Sequence, residues 1–245
     1  MRPSRTRGVS RLLIILAAGS TLGSGCQPAD VPERNPASSD RGESANTADP
    51  RAVLLDPSNA AWFEVAPDTY RVLVETTAGD FVIEAVRAWA PIGADRFYNL
   101  VRNGYYDDAR FHRIVPDFIV QWGIAGDPTV SAVWYDRGMP DDPVAASNER
   151  GTIAYAFTQP GTRSTQLFIS VVDNTRLDEQ GFAPFGRIVE GMESVVDSIY
   201  SGYGEASGGG VRAGDQSRLV TEGNAYLDEV FPELDRLIRA SVLEN

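Results

Sequence analysis

The sequence predicts a mainly-β domain, a closed antiparallel sheet or barrel capped by two helices. Short β-branched and apolar runs recur along residues 70–190. Only two segments between 70 and 200 carry helical spacing, and the strand–helix–strand alternation of a parallel sheet is missing. A chain of 245 residues that is 42% hydrophobic and 9% aromatic has the length and composition for a real core plus extras.

Taken from the start, residues 1–25 hold an arginine-rich opening, the apolar run "LLIILAA" (12–18) and the small residues "GSTLGSG". That is the layout of a secretory signal peptide, and the run is far shorter than the roughly 20 residues a membrane helix needs. Cys26 follows directly and resembles the lipobox cysteine of bacterial lipoproteins, which implies lipidation of its thiol. The usual aliphatic residue three before the cysteine is Gly23 here, with Leu22 one further back. Plain secretion with a free thiol is the alternative. Cys26 is the single cysteine, so no intrachain disulfide can form. Residues 26–68 are expected as a flexible tether. Within it "QPADVPERNPASSDRGESANTADP" (27–50) is too poor in large apolar residues to fold. Residues 51–68 are transitional, with Trp62 and Phe63 packing on the domain edge.

The domain is expected over 69–204. "YRVLVET" (70–76) and "DFVIEAVRA" (80–88) flank the turn "TAGD" and read as a hairpin. "APIGADRFYNLVRNGYY" (90–106) reads as a helix: Pro91 suits its first turn, Phe97, Leu100 and Val101 recur at helical spacing, and Gly104 suits its stop. Strands follow at 111–115, 118–122, 151–157, 165–171 and 185–190, with a second helix at 191–200. The stretch "GYGEASGGGVRAG" (202–214) reads as a glycine-rich linker. In the extension 205–245, Leu227, Phe231, Leu234, Ile238 and Val242 predict amphipathic helices bent near Pro232 and docked on the barrel.

Charge excludes several functions. All 22 basic residues are arginine, which removes P-loop phosphate binding, Schiff-base chemistry and lysine bases. One histidine and one cysteine argue against a zinc site, and no metal or cofactor is expected. The formal charge is −12; Arg2, Arg5, Arg7 and Arg11 supply +4 to the acid-free first 25 residues, leaving −16 on the rest. Such a body repels nucleic acid and anionic lipid, so no nucleic-acid partner is expected, and the membrane is met only through a lipid on Cys26.

The densest motif is "FHRIVPDFIVQWG" (111–123). It resembles the signature F-H-R-[VI]-[IV]-P-x-F-[MI]-x-Q-G-G of the cyclophilins, the peptidyl-prolyl cis-trans isomerases, with Trp122 in place of a glycine. "GTIAYA", "STQLFIS" and "LDEQGFAPFGRIVEGMESVVDSI" follow in the family's order, so the resemblance covers roughly 69–200. It implies a closed eight-stranded barrel that accelerates rotation of X–Pro bonds in proline-containing segments of exported proteins. By resemblance, Arg113 donates a hydrogen bond to the twisted amide nitrogen. Phe118, Ile119 and Phe168 line the proline pocket, and Gln121 holds the substrate backbone. Gln166 positions Gln121 or the peptide, Ala156 is part of the neighbouring wall, and Leu177 completes the substrate-binding set. Phe157 stands at the family's wall asparagine, Arg176 near a usual aromatic, and Phe182 on or near a rim histidine, which puts peptide preference in doubt more than the reaction.

His112 reads as structural: it points away from Arg113's face of the strand, and amide rotation moves no proton. No G-x-S-x-G elbow accompanies it. Two other readings stay open, a cyclophilin-fold module that grips proline segments without useful turnover, and an assembly protein docking through its C-terminal extension. The expected protein is a monomer, exported and lipid-anchored in a bacterial envelope.

Overall fold

The computed structural model describes residues 50–244. The signal-peptide reading of 1–25, the lipidation of Cys26 and the tether reading of 27–49 lie outside the described residues.

The first hairpin joins β1 (Thr69–Thr76) to β2 (Gly79–Val86) in the register Thr76↔Gly79, leaving a two-residue turn. Alternation turns Tyr70, Val72 and Val74 of β1 into the core. The helix α2 (Pro91–Arg102) begins with proline at its first turn and ends at Gly104, whose φ of 68° suits glycine. Its buried Ala94, Phe97, Leu100 and Val101 plug one mouth of the curved sheet, with Phe97 5.0 Å from Phe185 between ring centroids.

The remaining strands are β3 (Arg113–Val115), β4 (Ile119–Trp122), β5 (Thr152–Tyr155), β6 (Leu167–Ser170), β7 (Pro184–Glu190) and β8 (Leu237–Val242). Together they form one eight-stranded antiparallel sheet in the order β3-β4-β6-β5-β7-β2-β1-β8. The expected closed barrel is corrected to an open half-barrel. β3 is three residues long and commits them to β4, and the turn at Ala206–Gly208, not β8, packs beside it. The seam is crossed not by a β3–β8 ladder but from the segment before β3, by backbone bonds such as Phe111 N–H to Asp235 O (3.0 Å) and Leu237 N–H to Ala109 O (2.8 Å).

Four other expectations change. Residues 191–200 form turns and a short 3₁₀ helix at Val196–Ser198, because the segment opens on left-handed Gly191 (φ 85°) and is crowded with β-branched residues. The C-terminal extension is not helical throughout. It forms the short helices α4 (Ser217–Glu222) and α5 (Asn224–Val230), then enters the sheet as β8 in the register Val74↔Ala240. β1 would otherwise show an unpaired edge, and satisfying that edge outweighs the helical spacing of Ile238 and Val242.

The tether's last part, 50–68, is packed. The helix α1 (Pro50–Leu55) and a 3₁₀ turn at Ala60–Trp62 rest on α3 (Pro128–Trp134), where Trp62 and Trp134 meet edge-on at 4.5 Å and Trp134 Nε1 donates to Leu54 O (2.7 Å). Trp62 is buried, but Phe63 is 70% exposed. Consecutive side chains about a third of a turn apart in a 3₁₀ geometry cannot both face inward. The glycine-rich linker is also corrected, since Ser207 and Gly208 are buried against the sheet.

Truncation after Arg236 removes buried Leu237 and Ala240 and reopens β1. The loss of apolar burial and ladder bonds is about 3 kcal/mol or more, so the thermal midpoint is expected to drop by roughly 6–12 °C. An unchanged midpoint would show that β8 is dispensable.

Candidate active site

Strand alternation sorts the 111–123 stretch onto two faces. β3 and β4 pair as Arg113↔Gln121, Ile114↔Val120 and Val115↔Ile119. β4 meets β6 as Gln121↔Phe168, and β6 meets β5 as Ala154↔Phe168. Ile114, Val120, Ile153 and Ile169 therefore join the main core. Arg113, Gln121, Phe168 and Ala154 form a row across four strands on the other face. Asp117, at φ 56° in the three-residue turn between β3 and β4, lets the chain reverse sharply enough to set this register.

The polar end of the row is one hydrogen-bonded ladder. Arg113 Nη1 donates to Gln121 Oε1 (3.0 Å), and Gln121 Nε2 donates to Gln166 Oε1 (2.9 Å). Gln166 Nε2 donates in turn to Gln216 Oε1 (2.9 Å), which also accepts from Tyr135 Oη (3.1 Å). The second Arg113 amino group, Nη2, forms a hydrogen-bonded ion pair with Glu205. That hydrogen bond, with the charge behind it, holds the Glu205 carboxyl below the usual carboxylate range. Gly208 lies flat on the arginine stem: a Cβ there would stand 2.6 Å from Arg113 Cβ.

The apolar end is a small separate cluster. Ile119, Ala154, Phe168 and Leu177 are buried, with Val115, Phe118, Ala156 and Phe182 half-buried around them. Phe182 meets Phe168 edge-on at 5.6 Å and stacks on Phe157 at 4.3 Å. The Arg176 guanidinium sits 4.8 Å above the Phe118 ring. Asp178 anchors the loop that carries Leu177 and Phe182 by accepting from Ser147 Oγ and from both nitrogens of Asn148. Burial pushes its carboxyl upward, but these three bonds outweigh it and the net shift is downward.

The structure thus gathers Arg113, Phe118, Ile119, Gln121, Ala156, Phe157, Gln166, Phe168, Leu177 and Phe182 on one face. Sequence reasoning missed Glu205, Gly208 and Gln216, which complete the polar end. The lone acid inside "GYGEASGGG" was the one available hint. This face can donate a directed hydrogen bond from a fixed guanidinium beside a greasy wall, and it offers no nucleophile paired with a base.

His112 is buried, and its Nε2 lies near Gln166 without a well-formed hydrogen bond among the described residues. Burial lowers its pKa to about 4, below the unfolded value of about 6.5. A depressed pKa makes the stabilising contribution of neutral His112 complete above about 6.5 and lost as the pH falls towards 4. Thermal unfolding of wild type should weaken across that window. His112→Phe should flatten that part of the profile, and an unaltered slope would refute the assignment.

Comparison with known proteins shows what the chain is similar to. The family model described as "Cyclophilin type peptidyl-prolyl cis-trans isomerase/CLD" matches residues 71–214. A peptidyl-prolyl cis-trans isomerase of Acinetobacter baylyi is 34% identical over 143 residues, covering 52% of this chain and 70% of the relative. The peptidyl-prolyl cis-trans isomerase-like 1 of Gibberella zeae is 33% identical over 175 residues, 69% of this chain and 99% of that one. In structure, a cyclophilin type isomerase of Cryptosporidium parvum, crystallised in the presence of the dipeptide ala-pro, shares the fold with a TM-score of 0.51. It is 22% identical, and the match covers 71% of this chain and 99% of that one.

Proposed function

The chain belongs to the cyclophilin-type peptidyl-prolyl cis-trans isomerases, and we propose that it turns over X–Pro bonds in exported polypeptides with Arg113 as the hydrogen-bond donor to the rotating amide. The observation that carries this reading is the row Arg113–Gln121–Phe168, which sets a fixed guanidinium beside an apolar wall.

Amide resonance raises the rotation barrier to about 18–20 kcal/mol, and X–Pro bonds isomerise in tens to hundreds of seconds. Twisting the bond returns the lone pair to nitrogen, which becomes a hydrogen-bond acceptor only near the transition state. A guanidinium held at that nitrogen therefore stabilises the transition state and not the planar ground state. Gln121 fixes Nη1 of Arg113 and Gln166 fixes Gln121, so the donor is aimed before the substrate arrives. Ile119, Phe168, Leu177 and Phe182 hold the pyrrolidine ring away from water, where the more polar planar amide is disfavoured. No proton changes hands, and His112 has no part in the reaction.

The leader 1–25 and Cys26 support export and lipid anchoring in a bacterial envelope, on the residue pattern alone. Mass spectrometry of the mature protein should find an acylated N-terminal Cys26, and an unmodified thiol would overturn the anchor.

One observation favours a weaker catalyst, a proline-peptide binding module: Arg113 is only 7% exposed. A protease-coupled or NMR exchange assay on a proline tetrapeptide separates the two. One hydrogen bond from a charged donor is worth about 1.5–3 kcal/mol, so Arg113→Ala is expected to lower kcat/KM by roughly 10- to 150-fold. Equal rates in wild type and Arg113→Ala would refute the role of Arg113. Binding without acceleration would identify the module.

A further inference from the structure

We propose that residues 205–216 are a self-inhibiting strap, which lies on the arginine side of the site in place of a proline peptide and lifts when substrate binds. The inference rests on the reading of Arg113 as the catalytic donor.

The strap is clamped at its two ends by the groups that a substrate needs. Glu205 takes Nη2 of Arg113, and Gln216 takes the amide of Gln166 that backs Gln121. Between the clamps, buried Ser207 and Gly208 lie against the sheet, and Gly208 has no Cβ to hold it off the Arg113 stem. With the strap down, Arg113 keeps 7% and Gln121 4% of their surface. A peptide amide cannot reach both through so small an opening.

The closed strap also carries features that favour release. Arg212 and Ala213 hold left-handed backbone at φ 57° and 54°, which costs non-glycine residues energy. Arg113 Nε and Ser207 Oγ are buried with no hydrogen-bond partner among the described residues, and both would be hydrated once the strap rose. Val211, at the tip of the arch, is 76% exposed and anchors nothing. Gly204, just before the Glu205 clamp, is left-handed (φ 55°) with open space around it, a natural hinge. Raising the strap carries the Glu205 carboxylate into water and frees the Nη2 donor. The substrate then competes with a tethered occupant, and the apparent affinity falls by the fraction of time that the site is open.

The test uses the full chain and two variants. Glu205→Ala removes the ionic clamp, and Gly208→Ala pushes the strap off the arginine stem while leaving Glu205 in place. With a strap open about one tenth of the time, each should raise kcat/KM on a proline tetrapeptide by about tenfold, mainly through KM. In wild type, saturating tetrapeptide should speed hydrogen exchange at the Ala206 amide, which donates to Tyr203 O (3.0 Å) across the Gly204 hinge. Slower exchange with peptide bound, or a rate at or below wild type in both variants, would overturn the strap and make the segment a fixed wall of the site. Where the variants disagree, Gly208→Ala decides, because it leaves the Arg113 ion partner intact. Arg113→Ala separates the two failures. If it keeps the wild-type rate, the catalytic reading falls, and the exchange measurement alone still decides the strap.

Discussion

A slip of β4 by one residue against β6 would turn Gln121 into the core of the half-barrel and bring Val120 out beside Phe168 in its place. The register of these short strands is the constraint on which the site depends. It is held from both sides. The left-handed Asp117 closes the β3–β4 turn, and Gly123 (φ 110°) lies so close to Thr165 that a Cβ would stand 2.4 Å from its carbonyl oxygen. On the inner face, Trp122 fills the space against Phe111, with ring centroids 5.6 Å apart. A larger core residue at the position of a usual glycine thus leaves the outer face untouched.

Once the register is set, burial decides the rest. A guanidinium covered by protein needs an opposite charge and partners for its donors, or it would be forced back to water. The main domain supplies Gln121 but no acid at this point, and Glu205 comes from the segment that covers the arginine. Cover and counter-charge therefore arrive together. The apolar end is assembled in the same way, by a loop pinned through Asp178 that lowers Leu177 and Phe182 onto Phe168.

Much of this was readable in the residues. The 111–123 stretch announces two strands and a turn, and the alternation in it already places Arg113 and Gln121 together. The helix at 91–102 shows its proline start, apolar face and glycine stop. Three things were hidden, each for a physical reason. Glycine-rich composition reads as loose chain, yet glycine also permits the closest packing, and Gly208 serves the second purpose. The spacing of Leu227, Phe231, Leu234, Ile238 and Val242 fits a helix, but an unpaired β1 edge is a long-range demand that local periodicity does not contain. Closure of the barrel was read from the run of short strands as well as from the resemblance, and the three-residue β3 does not sustain it.

The ladder at the polar end has a direction. A guanidinium has donors and no acceptor, so Arg113 obliges Gln121 to turn its oxygen inward and its amide nitrogen onward. Gln166 inherits the same sense, and Gln216 is held to it in a two-way amide pair, accepting from Gln166 Nε2 at 2.9 Å and returning its own Nε2 to Gln166 Oε1 at 3.3 Å. Three side chains that could each face either way are thereby locked into one polarity by a neighbour that two of them never touch. The arginine acts as an orienting pole for the whole wall, so the pattern of lone pairs and N–H groups shown to a peptide is written by one residue's inability to accept.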